Sequence, residues 1–138
     1  MSCEKFVCSD LHFKHLNCAL KRGFSTIEEH DETIISRWNS VVRPNDIVYI
    51  LGDLTMEKRA PYSLLARLNG VKYVALGNHE RRQDINELLK YVNGVASCFE
   101  MKGSILTHIP IHPCELKRYR SNIHGHLHEK TVGEKGYF

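Results

Sequence analysis

Residues 71–80 read VKYVALGNHE, and this stretch is the most informative part of the sequence for the fold. Its first six residues are mostly β-branched, aromatic or apolar, which is typical of a buried strand, and the polar residues of GNHE follow at once. Residues 46–53, DIVYILGD, repeat the arrangement with a nearly unbroken β-branched and aromatic run that ends at Gly52 and Asp53. Strands that are covered on both faces read in this way, so both segments are predicted to lie in a buried sheet.

Helical patterns alternate with these strands. Apolar residues recur at helical spacing within residues 27–42, and Ser25 or Thr26 can cap the start of this helix. Residues 61–68 and 84–91 predict two further helices. An alternation of strands and helices indicates the α/β class.

The two ends of the chain carry shorter patterns. Phe6 and Val7 begin a short buried strand that ends before Asp10, and a polar loop is predicted from there to Gly23. Beyond Gly94 the apolar runs become short and indicate little helix. The elements expected there are strands at residues 96–101, 104–107 and 122–124 and a helix near residues 114–119.

The composition limits the function classes. A chain of 138 residues with 42% hydrophobic residues fits a single domain, residues 1–138, with one core and a mixed sheet. The formal charge of +3 is too small to indicate a nucleic-acid groove. No apolar run approaches the roughly 20 residues of a membrane span, and the five cysteines form no CxxC pair. We therefore expect a cytoplasmic protein with reduced thiols and no membrane partner.

A polar cluster follows nearly every predicted strand. The clusters are Asp10-Leu11-His12, Gly52-Asp53, Gly77-Asn78-His79-Glu80, Thr107-His108 and Gly125-His126-Leu127-His128. In α/β sheets the loops beyond the carboxyl ends of the strands converge on one crevice, so residues far apart in sequence meet there. The five clusters are therefore predicted to build one site.

The residue types in these clusters are those of metal ligands. Aspartate, histidine and asparagine offer oxygen and imidazole donors without thiolates, a set that suits manganese, iron, zinc or nickel and differs from that of a structural zinc site. The clusters contain more carboxylates and imidazoles than one ion needs. The glycines before Asp53, Asn78 and His126 allow unusual dihedral angles and close approach of the backbone, which a crowded ion site requires.

The order of these motifs, DxH, GD, GNHE, a later histidine and GHxH, resembles that of the calcineurin-like metallophosphoesterase superfamily. It is most similar to the small single-domain phosphoesterases of bacteria and their phages. The resemblance extends from Asp10 to His128, nearly the whole chain. It implies a four-layer α/β/β/α sandwich with mixed sheets, which is more specific than the α/β class.

The resemblance also implies a role for each motif residue. Two divalent ions, with manganese the first expectation and iron, zinc or nickel the alternatives, would be held by two groups of side chains. The first ligand group would be Asp10, His12 and His128, the second ligand group would be Asn78, His108 and His126, and Asp53 would bridge both ions. His79 resembles the catalytic histidine of the family, which donates a proton to the leaving group while the ions share and activate a water molecule.

The implied function is metal-dependent hydrolysis of a small phosphodiester or phosphomonoester, including nucleotides. A nuclease is the alternative among enzymes, and a non-catalytic scaffold of the same fold is the alternative from another class. Arg81 and Arg82 are candidates for contact with a substrate phosphate, although solvated charge at a helix start explains them as well. Residues 117–120, KRYR, mix basic and aromatic side chains and give weak support for nucleic acid.

Two features depart from the family pattern. Met56 stands where phosphoprotein phosphatases carry an aspartate that supports the catalytic histidine, which argues against a protein phosphatase. Members of the family usually continue past GHxH with further strands, whereas this chain stops at Phe138. Either this is an unusually short natural form, or the sheet is completed elsewhere, for example by a second subunit in a homo-oligomer. The histidines that match no motif, namely His15, His30, His112 and His124, are expected to be surface or structural residues.

Overall fold

The structure is a computed structural model that describes residues 2–59 and 61–138, so Met1 and Ala60 of the predicted domain lie outside it. Its first sheet is entirely parallel and contains β1 (Lys5–Cys8), β2 (Ile47–Ile50), β3 (Val71–Ala75) and β4 (Gly94–Ala96), in that order. The second sheet contains β5 (Cys98–Met101), β6 (Ser104–Thr107) and β7 (Ser121–His124), in that order. β5 and β6 are antiparallel, and β6 and β7 are parallel.

The register of the strands aligns their carboxyl ends. Cys8 pairs with Ile50, and Ile50 pairs with Val74, so β1, β2 and β3 end at the same level. In the second sheet, Thr107 pairs with His124 at the ends of β6 and β7. The loops that follow β1, β2, β3, β6 and β7 therefore begin at the same edge of the molecule.

The helices are short except for one. They are α1 (Leu16–Lys21), α2 (Ile27–Val41) and α3 (Ile85–Leu88), with 3₁₀ turns at Ser63–Arg67, Arg82–Asp84 and Pro113–Lys117. The Thr26 hydroxyl caps α2 by accepting a hydrogen bond from the Glu29 N–H at 3.1 Å, as the sequence predicted for this position. No helix within residues 2–59 or 61–138 has the length and apolar content that would let it cross a bilayer.

Two apolar clusters lie on opposite faces of the first sheet. On one face, Ile35 and Trp38 of α2 pack in a cluster with Val48, Ile50 and Val74 of the strands. The cluster on the other face joins the two sheets, and its buried members are Leu51, Ala75 and Leu106. The helices and the second sheet thus cover the first sheet from both sides, which explains why β2 and β3 read as nearly continuous apolar runs.

The outer face of the second sheet has little helical cover. Ile105 alternates with the inter-sheet residue Leu106 and is nevertheless buried. Its neighbour Asn122 accepts a hydrogen bond from the Ile111 N–H at 3.0 Å, so the segment after β6 lies on this face. The predicted α/β/β/α order of layers is confirmed, with the single 3₁₀ turn Pro113–Lys117 representing the last layer.

Several local predictions were wrong. The loop predicted between Asp10 and Gly23 contains α1, which starts without a side-chain cap or an acidic first turn, so no start signal was present. The helices predicted at residues 61–68 and near residues 114–119 are 3₁₀ turns, and the helix predicted at residues 84–91 is an α-helix only at Ile85–Leu88. The strand predicted at residues 96–101 is divided between β4 and β5, because the chain passes from one sheet to the other at Ser97, a single residue that is a weak turn signal.

Candidate metal centre

The side chains of the first ligand group meet beyond the carboxyl ends of β1 and β7. Asp10 Oδ1 lies 3.8 Å from His12 Nε2 and 3.8 Å from His128 Nε2. The rings of His12 and His128 are stacked with their centroids 5.1 Å apart. One ligand atom from each residue lies within 4.8 Å of the other two, so the three atoms are close enough to share an ion.

Two atoms of this group are buried without a hydrogen-bond partner. They are Asp10 Oδ1 and His12 Nε2, the atoms that face the centre of the group. The other oxygen of Asp10 accepts a hydrogen bond from the backbone N–H of His126 at 2.9 Å. Buried polar atoms are nearly always paired, and a cation between the carboxylate oxygen and the imidazole nitrogen would satisfy both, so the donor set fits a divalent metal.

The ionisation of Asp10 favours a cation as well. Burial by itself would raise the pKa of this carboxyl, but the interactions with His12, Ser9 and the His126 backbone N–H outweigh it and hold the pKa below its ordinary value. Asp10 is therefore a carboxylate at neutral pH. A desolvated carboxylate with one free oxygen is a strong ligand for a hard or borderline ion.

The second ligand group is more tightly packed. Asn78 Oδ1 lies 2.7 Å from His108 Nε2 and 2.9 Å from His126 Nδ1, and the two imidazole nitrogens are 3.2 Å apart. The other ring nitrogen of His108, Nδ1, bonds the Leu51 carbonyl at 2.7 Å. A carbonyl can only accept, so this bond places the ring proton on Nδ1 and directs Nε2 toward Asn78.

Asp53 lies between the two groups. Its Oδ2 is 3.7 Å from His12 Nε2 of the first group, and its Oδ1 is 3.4 Å from His108 Nε2 of the second group. Burial opposes ionisation of Asp53, but His108 and the backbone N–H of His79 lower its pKa below the ordinary value. The carboxylate thus presents one oxygen to each ligand group.

His79 borders the same centre. Its Nε2 lies 3.7 Å from Asp53 Oδ2, and its ring meets that of His12 edge to face at 5.2 Å. Its backbone N–H donates a hydrogen bond to Asp53 Oδ1 at 3.0 Å. The His79 side chain is 31% exposed, whereas that of His12 is 3% exposed, so His79 faces the open side of the centre.

The backbone of the centre is unusual. Of the eight non-glycine residues with positive φ in the described parts of the chain, five are predicted ligands, namely Asp10, His12, Asp53, His126 and His128. Gly52 also has a φ of +82°, and a Cβ there would lie 2.6 Å from the backbone of Gly77, which confirms the expected need for glycine. The loops after β2 and β3 are therefore in direct backbone contact.

Glu80 fastens these two loops together. Its carboxylate accepts hydrogen bonds from the backbone N–H groups of Asp53 at 2.9 Å, Leu54 at 2.7 Å and Gly77 at 2.6 Å. These contacts use both oxygens of Glu80 for backbone groups. Glu80 therefore supports the residues that carry Asp53 and Asn78.

Two clefts open beside His79. The larger has a volume of about 840 Å³, and its lining includes His12, His79 and His128 together with the cationic Lys21 and Lys130. The smaller, of about 240 Å³, is lined by His79, Asn78, Lys58 and Arg81 among others. Arg81 Nε bonds Asp84 at 2.5 Å, and the exposed Arg82 lines neither cleft. No residue of the basic stretch 117–120 lines either cleft.

Sequence reasoning missed His15. Its Nδ1 lies 3.3 Å from Nδ1 of His12, and the ring lines the larger cleft. This contact occupies the ring nitrogen of His12 that does not face Asp10, which leaves Nε2 for an ion. The signal was the HxxH spacing of His12 and His15, which the turn before α1 brings together through the positive φ angles of His12 and Lys14.

The two-sheet α/β architecture, with carboxylate, imidazole and amide side chains gathered at the carboxyl ends of five strands, defines a metallophosphoesterase-type protein. The sequence pattern of the calcineurin-like phosphoesterase family matches residues 6–133, and the chain belongs to this family. Membership implies hydrolysis of phosphate esters with the help of divalent metals.

The relatives come from archaea, phages and bacteria. The chain is 36% identical over 140 residues to the uncharacterized protein MJ1445 of Methanocaldococcus jannaschii, covering 97% of this chain and 75% of that protein. It is 36% identical over 83 residues to the gene 66 protein of Mycobacterium phage L5, which is 56% of this chain and 40% of that one. The crystal structure of AQ665, a protein of unknown function from Aquifex aeolicus, shares the fold with a TM-score of 0.74 and 24% identity, covering 96% of this chain and 83% of that chain.

Proposed function

We propose that this protein is a dinuclear metal-dependent hydrolase of small phosphate esters. The observation that carries the proposal is the pair of buried, unpartnered atoms Asp10 Oδ1 and His12 Nε2, which lie 3.8 Å apart at the carboxyl edge of the sheet. Leaving such atoms unpaired costs stability unless a cation satisfies them. Two ligand groups on either side of Asp53 support two ions rather than one.

The ions would be held by Asp10, His12 and His128 on one side, by Asn78, His108 and His126 on the other, and by Asp53 between them. Bound there, two divalent cations supply an activated water molecule and neutralise the charge of the phosphoryl oxygens. Oxygen and imidazole donors without thiolate suit manganese first, with iron, zinc and nickel as alternatives.

His79 is the proposed general acid. Its backbone N–H donates a hydrogen bond to Asp53, and its side chain is 31% exposed, so the imidazole is open to the cleft. A histidine in this position can donate a proton to the oxygen of the departing alcohol, since imidazole carries a proton near neutral pH. Asp53 thus orients His79 through the backbone in addition to its role between the ligand groups.

The larger cleft supports a small anionic substrate. Its volume of about 840 Å³ lies in the range of small-molecule sites, and Lys21 and Lys130 place positive charge on its walls. A phosphodiester or phosphomonoester such as a nucleotide fits these features. The five free cysteines support the further proposal that the protein acts in the reducing cytoplasm.

The experiment is hydrolysis of bis-nitrophenyl phosphate and nitrophenyl phosphate by metal-stripped protein to which manganese is returned. Wild-type protein should be active only with the metal, and the ratio of the two rates gives the preference for diester or monoester. His79→Ala should lower kcat by roughly 100- to 10,000-fold while manganese binding is retained. The matched control is His112→Ala, because His112 is exposed and lines neither cleft.

The other two candidate functions predict different results. A nuclease would cleave oligonucleotides faster than the nitrophenyl diester under the same conditions. A scaffold would bind manganese, remain folded and hydrolyse none of these compounds. Full activity of His79→Ala would contradict the proposed role of this histidine.

A further inference from the structure

The loop that carries Asp10 and His12 adopts a strained backbone. Asp10, His12 and Lys14 have φ angles of 56°, 51° and 59°, so three alternate non-glycine residues lie in the left-handed region. Such residues are stable only where the surroundings enforce them. The first ligand group therefore depends on whatever holds residues 10–14.

Arg22, which follows α1, holds the first half of this loop. Its Nη2 donates a hydrogen bond to the Asp10 carbonyl at 2.6 Å, and its Nη1 donates to the Leu11 carbonyl at 3.0 Å. Nη1 also lies 2.8 Å from Nε2 of His30 on α2. Arg22 thus links the ligand loop to α2 through backbone carbonyls, without touching a ligand side chain.

His30 and Asp31 hold the second half of the loop. Both are buried in α2, with exposures of 0% and 2%. Arginine has no acceptor, so His30 Nε2 accepts from Arg22, and its Nδ1 proton is donated to Asp31 Oδ1 at 2.8 Å. Asp31 Oδ2 in turn accepts a hydrogen bond from the Lys14 backbone N–H at 3.2 Å.

The three side chains form a continuous relay that begins at the Asp10 carbonyl and ends at the Lys14 N–H. We propose that Arg22, His30 and Asp31 are positioning residues that fix the loop 10–14 and thereby set the affinity of the first ligand group for its ion. The inference rests on the proposed function. The relay is expected to affect the ion affinity of the first ligand group alone, because the second group is held by the Leu51 carbonyl and by Glu80.

A packing role alone does not explain the relay. Its buried members occupy core-facing positions of α2, four residues before Ile34 and Ile35, where apolar side chains would fill the space without polar groups to satisfy. Instead, in the described parts of the chain, the side chains of the relay contact, beyond one another, the loop 10–14, including the Lys14 side chain, and the Phe24 ring. Supporting partners of this kind change metal affinity by about 10- to 100-fold when they are removed.

The test is a calorimetric titration of manganese into metal-free Arg22→Gln and Asp31→Asn. The control is Arg67→Gln, which breaks the exposed ion pair between Arg67 of the first 3₁₀ turn and Glu32 of α2 and leaves the relay intact. The binding step of the first group is assigned with His128→Ala, and that of the second group with His126→Ala. Both relay variants should weaken the first step about 10- to 100-fold and change the second step less than about threefold.

Hydrogen exchange of the metal-free proteins provides a readout without metal. Both relay variants should exchange faster than wild type within residues 10–15, while exchange in β2 and β3 stays unchanged. Equal weakening of both binding steps, or unchanged exchange in the loop, would overturn the inference. A wild type that binds no manganese would refute the proposed function instead, since loop exchange would still report on the relay.

Discussion

The two ligand groups differ in how closely their side chains already contact one another. In the first group the facing atoms are 3.8 Å apart, and two of them have no partner. In the second group Asn78, His108 and His126 already contact one another at 2.7 to 3.2 Å. An ion entering the first group relieves unpaired buried atoms, whereas an ion entering the second must enter between three side chains that already contact one another. Two neighbouring ions would therefore be bound for different physical reasons.

Removing the carboxylate between the two ligand groups should have the largest effect on activity. Asp53→Asn should lower the rate of ester hydrolysis by more than about 1,000-fold, because bound metals stabilise the transition state by several kcal/mol and each 1.4 kcal/mol is a factor of ten. Steady-state kinetics with manganese measures the loss. The matched control is Asp46→Asn, a buried aspartate at the opposite end of β2 that bonds the Glu4 and Arg43 backbones. An active Asp53→Asn enzyme would show that the groups work independently.

Removing one histidine from each group should separate the groups. His128→Ala and His126→Ala are each expected to lose at least about 100-fold in affinity for one ion, so that each retains one manganese per chain at micromolar metal. Metal analysis after gel filtration gives the stoichiometry. Loss of both ions in either variant would mean that the two groups form one inseparable site.

A smaller effect tests the backbone support of the second group. Glu80→Gln should destabilise the metal-free protein by about 1–3 kcal/mol, because an amide has one acceptor oxygen, whereas the two carboxylate oxygens of Glu80 accept hydrogen bonds from three backbone N–H groups. Denaturant unfolding measures this change. Glu87→Gln, which removes the surface ion pair with Lys90 and leaves an amide oxygen for the Tyr91 hydroxyl, is the control and should change stability by less than about 0.5 kcal/mol.

The smallest expected effect is a proton released on metal binding. Burial alone would lower the pKa of His108, but Asp53 and the Leu51 carbonyl raise it above the ordinary value of 6.5. The Asp53–His108 pair therefore stabilises the metal-free protein fully below about pH 6.5, and this contribution is lost as pH rises through the raised pKa. An ion needs the neutral ring, so binding should release up to about one proton per chain at pH 6.5 and less at pH 9. Calorimetry in buffers of different ionisation enthalpy measures it, and equal release at both pH values would contradict this assignment.

Much of the fold was predictable from the sequence because β2 and β3 are buried on both faces and end in polar motifs. Their boundaries were predicted within one residue at most positions. The passage from β4 to β5 was not predictable, since the single residue Ser97 is a weak turn signal and no glycine or proline stands between the two strands. α1 was missed because tertiary contacts stabilise it without a cap or an acidic first turn.

The seven predicted ligands were recognisable because each belongs to a short motif at a strand end, and the structure brings all seven together. The relay was not recognisable in this way, because Arg22 lies 8 residues before His30 and 9 before Asp31, and none of the three lies in a motif. One signal existed: His30 and Asp31 occupy the apolar face of an amphipathic helix. Polar residues at such positions are satisfied by partners that the sequence alone does not name.

The predicted ligands whose backbone has a positive φ also affect how the protein would evolve in the laboratory. Each such residue costs the fold about 1–2 kcal/mol, and five of them lie at the metal centre. Heat selection without any demand for turnover should therefore replace these positions early and spare the two apolar clusters. Selection for turnover should keep them and collect stabilising changes elsewhere, so the order in which substitutions appear would record which property was under selection.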